Sequence, residues 1–197
     1  MGSNRRGVAN QKGLNYQNRV AAWFCVRILA ERDAEPLWGW DSRSTIDWLL
    51  VETEQAIDDL LIGHSHGGLA FINIKRKVYA SRERNSALAS VISQFVRQFV
   101  SSRSREKGTL PWERPLELDI DRFVLVTNSA SSAAIKSDLP AILNRLRAPD
   151  FGGGLEDAAQ NQSERETIAT SEGISKMNGS PSRGSVSKNK MVFLCSE

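Results

Sequence analysis

Apolar side chains recur at helical spacing in three stretches of the chain. In the first stretch Val20, Phe24 and Ile28 lie on one stripe, which predicts an amphipathic helix that Asn15 caps. The same periodicity predicts two more helices, and the last of them bends or restarts at Pro140, because proline lacks the backbone N–H donor. The three predicted helices span residues 14–33, 86–101 and 132–146.

Short apolar runs between these helices predict four strands. The second and third runs flank the glycine-rich turn GHSHGG, so we expect them to form a hairpin. The four runs span residues 46–52, 57–62, 69–75 and 122–128. The resulting order, α-β-β-β-α-β-α, predicts an α/β fold in which helices flank a mixed sheet.

The composition changes after Pro149. Residues 151–197 are rich in Gly, Ser, Asn and charged side chains and contain few large apolar residues, apart from the isolated run MVFLC at 191–195. Such a segment buries too little apolar surface to offset the entropy lost on ordering. We therefore expect one folded domain over residues 1–150 and a disordered tail over residues 151–197.

The bulk composition is that of a soluble globular protein, with 40% apolar and 25% charged residues. No apolar run approaches the roughly 20 residues of a membrane-spanning helix, and the N-terminus lacks the apolar core of a signal peptide. Cys25 and Cys195 lie far apart in unlike surroundings, which fits a reducing compartment. We expect a cytoplasmic protein without a membrane partner.

The net charge is only +3, but the positive residues are unevenly distributed. Between positions 75 and 107 nine Lys or Arg residues stand against two acids. This excess favours contact with a phosphate backbone, although a solvated basic helix face has the same composition. We expect nucleic-acid contacts from Lys77, Arg82 and Arg84.

Polar residues interrupt two strands that are otherwise built for burial. Asp59 precedes the apolar run at 60–62, and Asn73 and Lys75 alternate with isoleucines, so that they share one strand face with Phe71. Such local conflict with packing is typical of a functional site. A carboxylate and an amide oxygen suit Mg²⁺, and a lysine can stabilise phosphate charge or orient an attacking water.

A glutamine on the first helix is a further candidate. Gln17 lies on the stripe of Val20 and Phe24, where a core residue is expected, so we interpret it as part of the site. A core-edge glutamine bonded to backbone is the alternative. Asp58 ranks second to Asp59, because strand alternation turns it toward the opposite face of the sheet.

The glycine-rich turn contains His64 and His66, an H-x-H pair of the kind that binds transition metals. The composition of a turn explains these histidines at least as well. We therefore give the turn no catalytic role.

The spacing of Asp59, Asn73 and Lys75 resembles the PD-(D/E)xK nuclease superfamily, whose aspartate precedes an acid-x-lysine motif on the next strand. Further motifs resemble, more closely, the double-stranded DNA endonuclease domain of bacterial anti-phage effectors, found in CBASS effectors and NTPase-linked defence proteins. These motifs are G-x-x-Y-Q at 13–17, E-x-x-I-D-D at 54–59 and FVLVTNSASS at 123–132. The resemblance covers residues 5–150.

This resemblance implies a restriction-endonuclease-like fold and Mg²⁺-dependent, or Mn²⁺-dependent, cleavage of double-stranded DNA in anti-phage defence. Asp59 and Asn73 would bind the metal with help from Gln17 or Glu54, and Lys75 would stand beside the attacking water. Related proteins carry a sensor or NTPase module, so the resemblance implies a separate partner protein or a homo-oligomer.

One position departs from the superfamily pattern, because Asn73 stands where an acid is usual. A neutral ligand weakens the attraction for a metal cation. Two alternatives therefore stay open: a catalytically inactive DNA-binding or assembly module of the same fold, and a housekeeping nuclease of the restriction or junction-resolving type.

Overall fold

The computed structural model describes residues 3–32, 44–83, 85–103, 105–177 and 191–196. A π-helical turn, Ala134–Asp138, precedes α3, and a 3-10 turn, Glu156–Ala158, precedes α4. The main elements in chain order are α1 (Ser3–Leu29), β1 (Ile46–Val51), β2 (Leu60–His64), β3 (Leu69–Ile74), α2 (Ala87–Arg103), β4 (Arg122–Asn128), α3 (Leu139–Arg147), α4 (Gln162–Met177) and β5 (Met191–Ser196).

The five strands form one sheet in the order β1-β2-β3-β4-β5. β1, β2 and β3 pair antiparallel, whereas β3, β4 and β5 pair parallel. Because parallel neighbours need a crossover, α2 connects β3 to β4. The predicted α/β class, a mixed sheet flanked by helices, is confirmed, and so is the β2–β3 hairpin.

Two hydrophobic cores cover the two faces of this sheet. On one face Phe24 of α1 packs against Leu60 and Ile72 of the hairpin. On the other face Phe95 of α2 packs with side chains that include Phe71. Every residue of β2 and β3 is buried, as expected for central strands with a helix on each side.

The first helix is longer than its apolar pattern predicts. α1 has 27 residues and begins at Ser3, so Asn15 lies inside it and accepts a hydrogen bond from Gln11 instead of capping the start. The prediction of a cap at Asn15 is wrong, because the polar first turns carry no apolar periodicity that would reveal them. None of the described helices is both long and apolar enough to span a membrane.

The second strand is shorter than predicted and begins at Leu60 instead of residue 57. Residues 53–58 form a turn that α2 holds in place, because the Ile57 amide donates to Gln98 Oε1 at 3.2 Å. Glu52 has a φ of 51°, which bends the chain away from β1. The predicted restart at Pro140 is confirmed, since α3 begins at Leu139 after the π-helical turn.

The expected boundary at residue 150 falls inside folded structure. Ile168 of α4 and Ala158 pack against Ile142 of α3, and Glu164 pairs with Arg145 at 2.6 Å. The apolar run near the C-terminus is not isolated, because β5 pairs with β4. Composition missed α4 because its buried side is mostly small and polar. Residues 178–190 lie outside the described residues, and the expectation of disorder there stays a prediction.

Candidate active site

The Asp59 carboxylate receives hydrogen bonds from two elements that flank it. Gln17 Nε2 of α1 donates to Oδ1 at 2.6 Å, and the Ile74 amide of β3 donates to Oδ2 at 2.6 Å. Lys75 Nζ lies 3.2 Å from the same Oδ2. The Asp59 side chain is 9% exposed and that of Lys75 is 29% exposed. The Asp59 carboxylate is therefore held in a fixed orientation, and Lys75 beside it is still reachable from solvent.

The hairpin register explains why these residues meet. β2 begins directly after Asp59, and β3 ends directly before Lys75. The antiparallel ladder pairs Leu60 with Ile72, so Asp59 and Asn73 are the next residues along the two strands. Burial on both faces fixes this register, because a slip of one residue would turn each strand's side chains to the wrong face.

Asn73 is fully buried, and its contacts are made with α2. Its Nδ2 donates to Gln94 Oε1 at 2.6 Å, and Gln94 Nε2 in turn donates to Asp58 Oδ1 at 3.4 Å. An ionised carboxylate can only accept, so Asp58 takes the amide nitrogen of Gln94 and leaves the amide oxygen for Asn73. This relay orients Asn73 and leaves its Oδ1 buried without a hydrogen-bond partner among the described residues.

The structure brings some predicted site residues together and separates others. Gln17 and Lys75 both contact Asp59, whereas Asn73 contacts Gln94. We expected Asn73 and Lys75 to share one face of the strand, but they contact different residues. β3 ends at Ile74, so the strand alternation that would place them together stops before Lys75.

The remaining predicted residues lie on the surface. Glu54 is exposed in the turn before Asp59 and makes no hydrogen bond or ion pair within the described part of the chain. Lys77 and Arg82 are also exposed. Arg84 lies outside the described residues.

Sequence reasoning missed two glutamines on α2. Gln94 orients Asn73, and the fully buried Gln98 binds the Ile57 amide and, at 2.8 Å, Ser102 Oγ. They lie four residues apart beside the apolar stripe of α2, so they face the sheet. A pair of amides at this spacing next to a buried stripe is the signal that could have revealed them.

The opposite end of the hairpin contains a second ion pair. Arg114 donates two hydrogen bonds to Asp121, from Nη2 to Oδ1 at 2.7 Å and from Nη1 to Oδ2 at 2.8 Å. Asp121 also accepts from the Leu69 amide and the Glu117 amide, and Arg114 donates to the Gly67 carbonyl. This network attaches the segment before β4 to the hairpin turn.

The two predicted turn histidines lie at this same end. The buried His64 accepts a hydrogen bond from the His66 amide at its Nδ1. Burial, together with the charges of His66 and Arg122, lowers the pKa of His64 from 6.5 to about 4. His64 is therefore neutral at physiological pH.

The Asp59 end of the hairpin offers few charged ligands for Mg²⁺. No group of three or more His, Cys, Asp or Glu side chains in the described ranges is arranged to hold a metal ion. Mg²⁺, however, is commonly bound by one or two carboxylates and otherwise by water and substrate phosphate. The Asp59 carboxylate supplies one such ligand with a single negative charge, and the buried Asn73 oxygen, which has no hydrogen-bond partner among the described residues, is of the right chemical type for a second.

Comparisons with known proteins returned no match to any family model, curated protein or solved structure. The geometry around Asp59 and the motifs of the chain are the features that point to a function.

Proposed function

We propose that this chain is a metal-dependent endonuclease that hydrolyses phosphodiester bonds in double-stranded DNA. The observation that carries the proposal is the accessible Asp59–Lys75 pair, fixed by Gln17 from α1 and by the Ile74 amide from β3. A carboxylate held in a fixed orientation with a cation beside it provides the opposite charges that phosphoryl chemistry requires.

Each side chain has a distinct task in this proposal. Lys75 orients the attacking water and stabilises the negative charge that develops on the phosphate. Gln17 holds Asp59 Oδ1, and Gln94 accepts from the Asn73 amide nitrogen, which leaves the Asn73 oxygen free for a ligand. Mg²⁺ or Mn²⁺, bound by Asp59 and Asn73, would supply Lewis acidity at the phosphate.

The biological setting belongs to the same proposal. The motifs at 13–17, 54–59 and 123–132 resemble the endonuclease domain of anti-phage effectors, which supports a defence role in the cytoplasm. In that role a separate sensor or NTPase protein, or self-association, switches cleavage on.

Plasmid cleavage tests the enzymatic core of the proposal. Wild-type protein should nick or linearise supercoiled plasmid in Mg²⁺ or Mn²⁺, and EDTA should stop the reaction. Asp47→Asn is a matched control, because Asp47 is an exposed acid at the start of β1, away from the Asp59 end of the hairpin. Activity that survives in EDTA would overturn the metal-dependent mechanism.

A catalytically inactive DNA-binding module is the second candidate. The neutral Asn73 and the lack of an acidic cluster in the described ranges favour it. The variant Asn73→Asp separates the two candidates by adding a negative ligand. If wild type cleaves with neither metal while Asn73→Asp cleaves, the chain is a decayed nuclease that retains the fold.

A further inference from the structure

An open cleft of about 780 Å³ lies beside the Asp59–Lys75 pair. One wall is α1, where Lys12, Asn15 and Arg19 are spaced three and four residues apart and share one side of the helix. The other wall is formed by Arg76 and Asn128, which stand at the carboxyl ends of β3 and β4. Because these strands are parallel, their carboxyl ends form the edge at which ligands commonly bind in α/β sheets.

The cleft is positively charged and its charge is not neutralised. Three cations line it, Lys12, Arg19 and Arg76, and no acidic residue does. None of the three forms an ion pair within the described part of the chain, in contrast to Arg114 and Arg145, which both have acidic partners. Unpaired cations gathered in a concave surface attract an extended anion.

A fourth cation lies at the rim of the cleft. Lys136 Nζ donates to the carbonyl of Ser129 at 2.7 Å, and Ser129 lines the cleft. The contact places an ammonium group beside the end of β4. The positive surface therefore extends beyond the two walls.

The cleft is continuous with the candidate active site. Arg76 directly follows Lys75, and the Asn128 amide donates to the Arg76 carbonyl at 3.3 Å, so the two strand ends stay together beyond the ladder. On the other wall Tyr16 precedes Gln17, which binds Asp59. On each wall, therefore, a residue that lines the cleft is the chain neighbour of a residue of the candidate active site.

We propose that the cleft binds the phosphate backbone of the DNA strand beside the phosphate that is cut, an inference that rests on the proposed nuclease function. Arg19 and Arg76 bind phosphate oxygens from opposite walls. Asparagine side chains donate further hydrogen bonds to the phosphates, and such backbone contacts position a duplex on a protein. The main backbone contacts are thus assigned to α1 and the strand ends. Lys77 and Arg82 do not line the cleft.

An acidic protein segment is the competing occupant. The asparagine amides at positions 15, 18 and 128 can donate to phosphate oxygens and to carboxylates alike, so they do not decide between the two occupants. The cleft favours DNA because it adjoins the Asp59–Lys75 pair, which suits a phosphodiester substrate.

Salt-dependent DNA binding tests the proposal without requiring cleavage. Binding of a short DNA duplex is measured by fluorescence anisotropy in EDTA over a range of salt concentrations. The double variant Arg19→Ala with Arg76→Ala should lower the slope of log affinity against log salt by about 1.8 units, or about 0.9 per lost contact. The matched control is Arg32→Ala with Arg165→Ala, which removes two exposed arginines that lie outside both the cleft and the basic segment 75–107 and should leave the slope unchanged.

The outcomes distinguish this inference from the nuclease proposal. If wild type binds DNA through the cleft but never cleaves it, the cleft stands and the nuclease function fails. If wild type cleaves plasmid and the cleft variant keeps its full salt slope, the cleft proposal is overturned and the function stands. An equal slope change in the control, absence of DNA binding, or preferential binding of polyglutamate would each overturn the cleft proposal as well.

Discussion

A carboxylate pairs with a cation at each end of the β2–β3 hairpin, and the two ion pairs differ in how many hydrogen bonds the carboxylate accepts. At the turn end Asp121 accepts four hydrogen bonds, two from Arg114 and two from backbone amides. At the open end Asp59 accepts three, from Gln17, the Ile74 amide and Lys75. A carboxylate offers about four acceptor positions, so Asp121 is saturated and Asp59 has one left.

This difference separates a saturated ion pair from one that can still accept a ligand. The planar guanidinium of Arg114 matches the carboxylate with two bonds, which fixes geometry and leaves no room for another ligand. Lys75 makes a single contact from a flexible side chain. The unused acceptor position on Asp59 Oδ1 is available to a cation, while Gln17 keeps that oxygen oriented.

The largest effect is expected at the open end. Asp59→Asn keeps the shape of the side chain but removes the charge, so plasmid cleavage should fall by about 10³-fold. The stability should change by less than about 1 kcal/mol, because Lys75 is partly exposed and solvent screens the pair. Cleavage rates and urea unfolding measure the two effects. A variant that cleaves at the wild-type rate would remove Asp59 from the mechanism.

The turn end should show the reverse pattern. Asp121→Asn replaces the charged partner of the Arg114 guanidinium by a neutral one. The Arg114 side chain is only 14% exposed, so this loss should cost about 3 kcal/mol of folding free energy. Cleavage by the folded fraction should stay near the wild-type rate, as measured below the unfolding temperature. A stable Asp121→Asn protein that has lost cleavage would contradict the division between the two ends.

Removing the hydrogen bond between Gln94 and Asn73 should have a smaller effect, which is confined to the Mg²⁺ concentration that cleavage requires. Gln94→Leu keeps the volume but gives the Asn73 amide no acceptor, so the Mg²⁺ concentration for half-maximal cleavage should rise by about 10- to 100-fold. Excess Mg²⁺ should restore the maximal rate. Gln162→Leu, on the exposed start of α4, is the control. A lowered maximal rate at saturating Mg²⁺ would show that Gln94 does more than position Asn73.

The smallest effect is a pH dependence of stability at the turn end. The pKa of His64 is about 4 in the folded protein, compared with its ordinary value of 6.5 in the unfolded chain. Between pH 4 and pH 6.5 the unfolded chain therefore binds more protons than the folded protein. The contribution of His64 to stability should therefore be nearly constant above pH 7 and fall by about 2 to 3 kcal/mol as the pH drops from 6.5 to 4. His64→Gln should remove this acid sensitivity, and His66→Gln should retain it. Equal slopes in both variants would assign the titration to other groups.

The sequence predicted the part of the site that one hairpin determines. Alternation and burial fix the register, so the meeting of Asp59 and Lys75 could be anticipated from two short strands. The contact of Gln94 with Asn73 depends on where α2 packs across the sheet, which no local pattern encodes. The cleft likewise requires α1 to lie against the ends of β3 and β4, and this is a property of the tertiary structure.

Composition misjudged the region after residue 150 for a related reason. α4 buries Ile168 together with threonines, and Ser163 and Thr167 donate to Asp138. Hydrogen bonds between elements stabilise this helix in addition to a small apolar contact. A criterion based on large apolar residues cannot detect such packing.

The Ile74 amide makes the candidate site observable by NMR spectroscopy. The Ile74 nitrogen lies 2.6 Å from the Oδ2 atom of the Asp59 carboxylate, and such charge-assisted bonds shift an amide resonance downfield. A cation that draws electron density from Asp59 would move this resonance back, in proportion to occupancy. A single backbone signal therefore provides a titration curve for each metal ion, in protein that carries no label at the site and turns over no substrate.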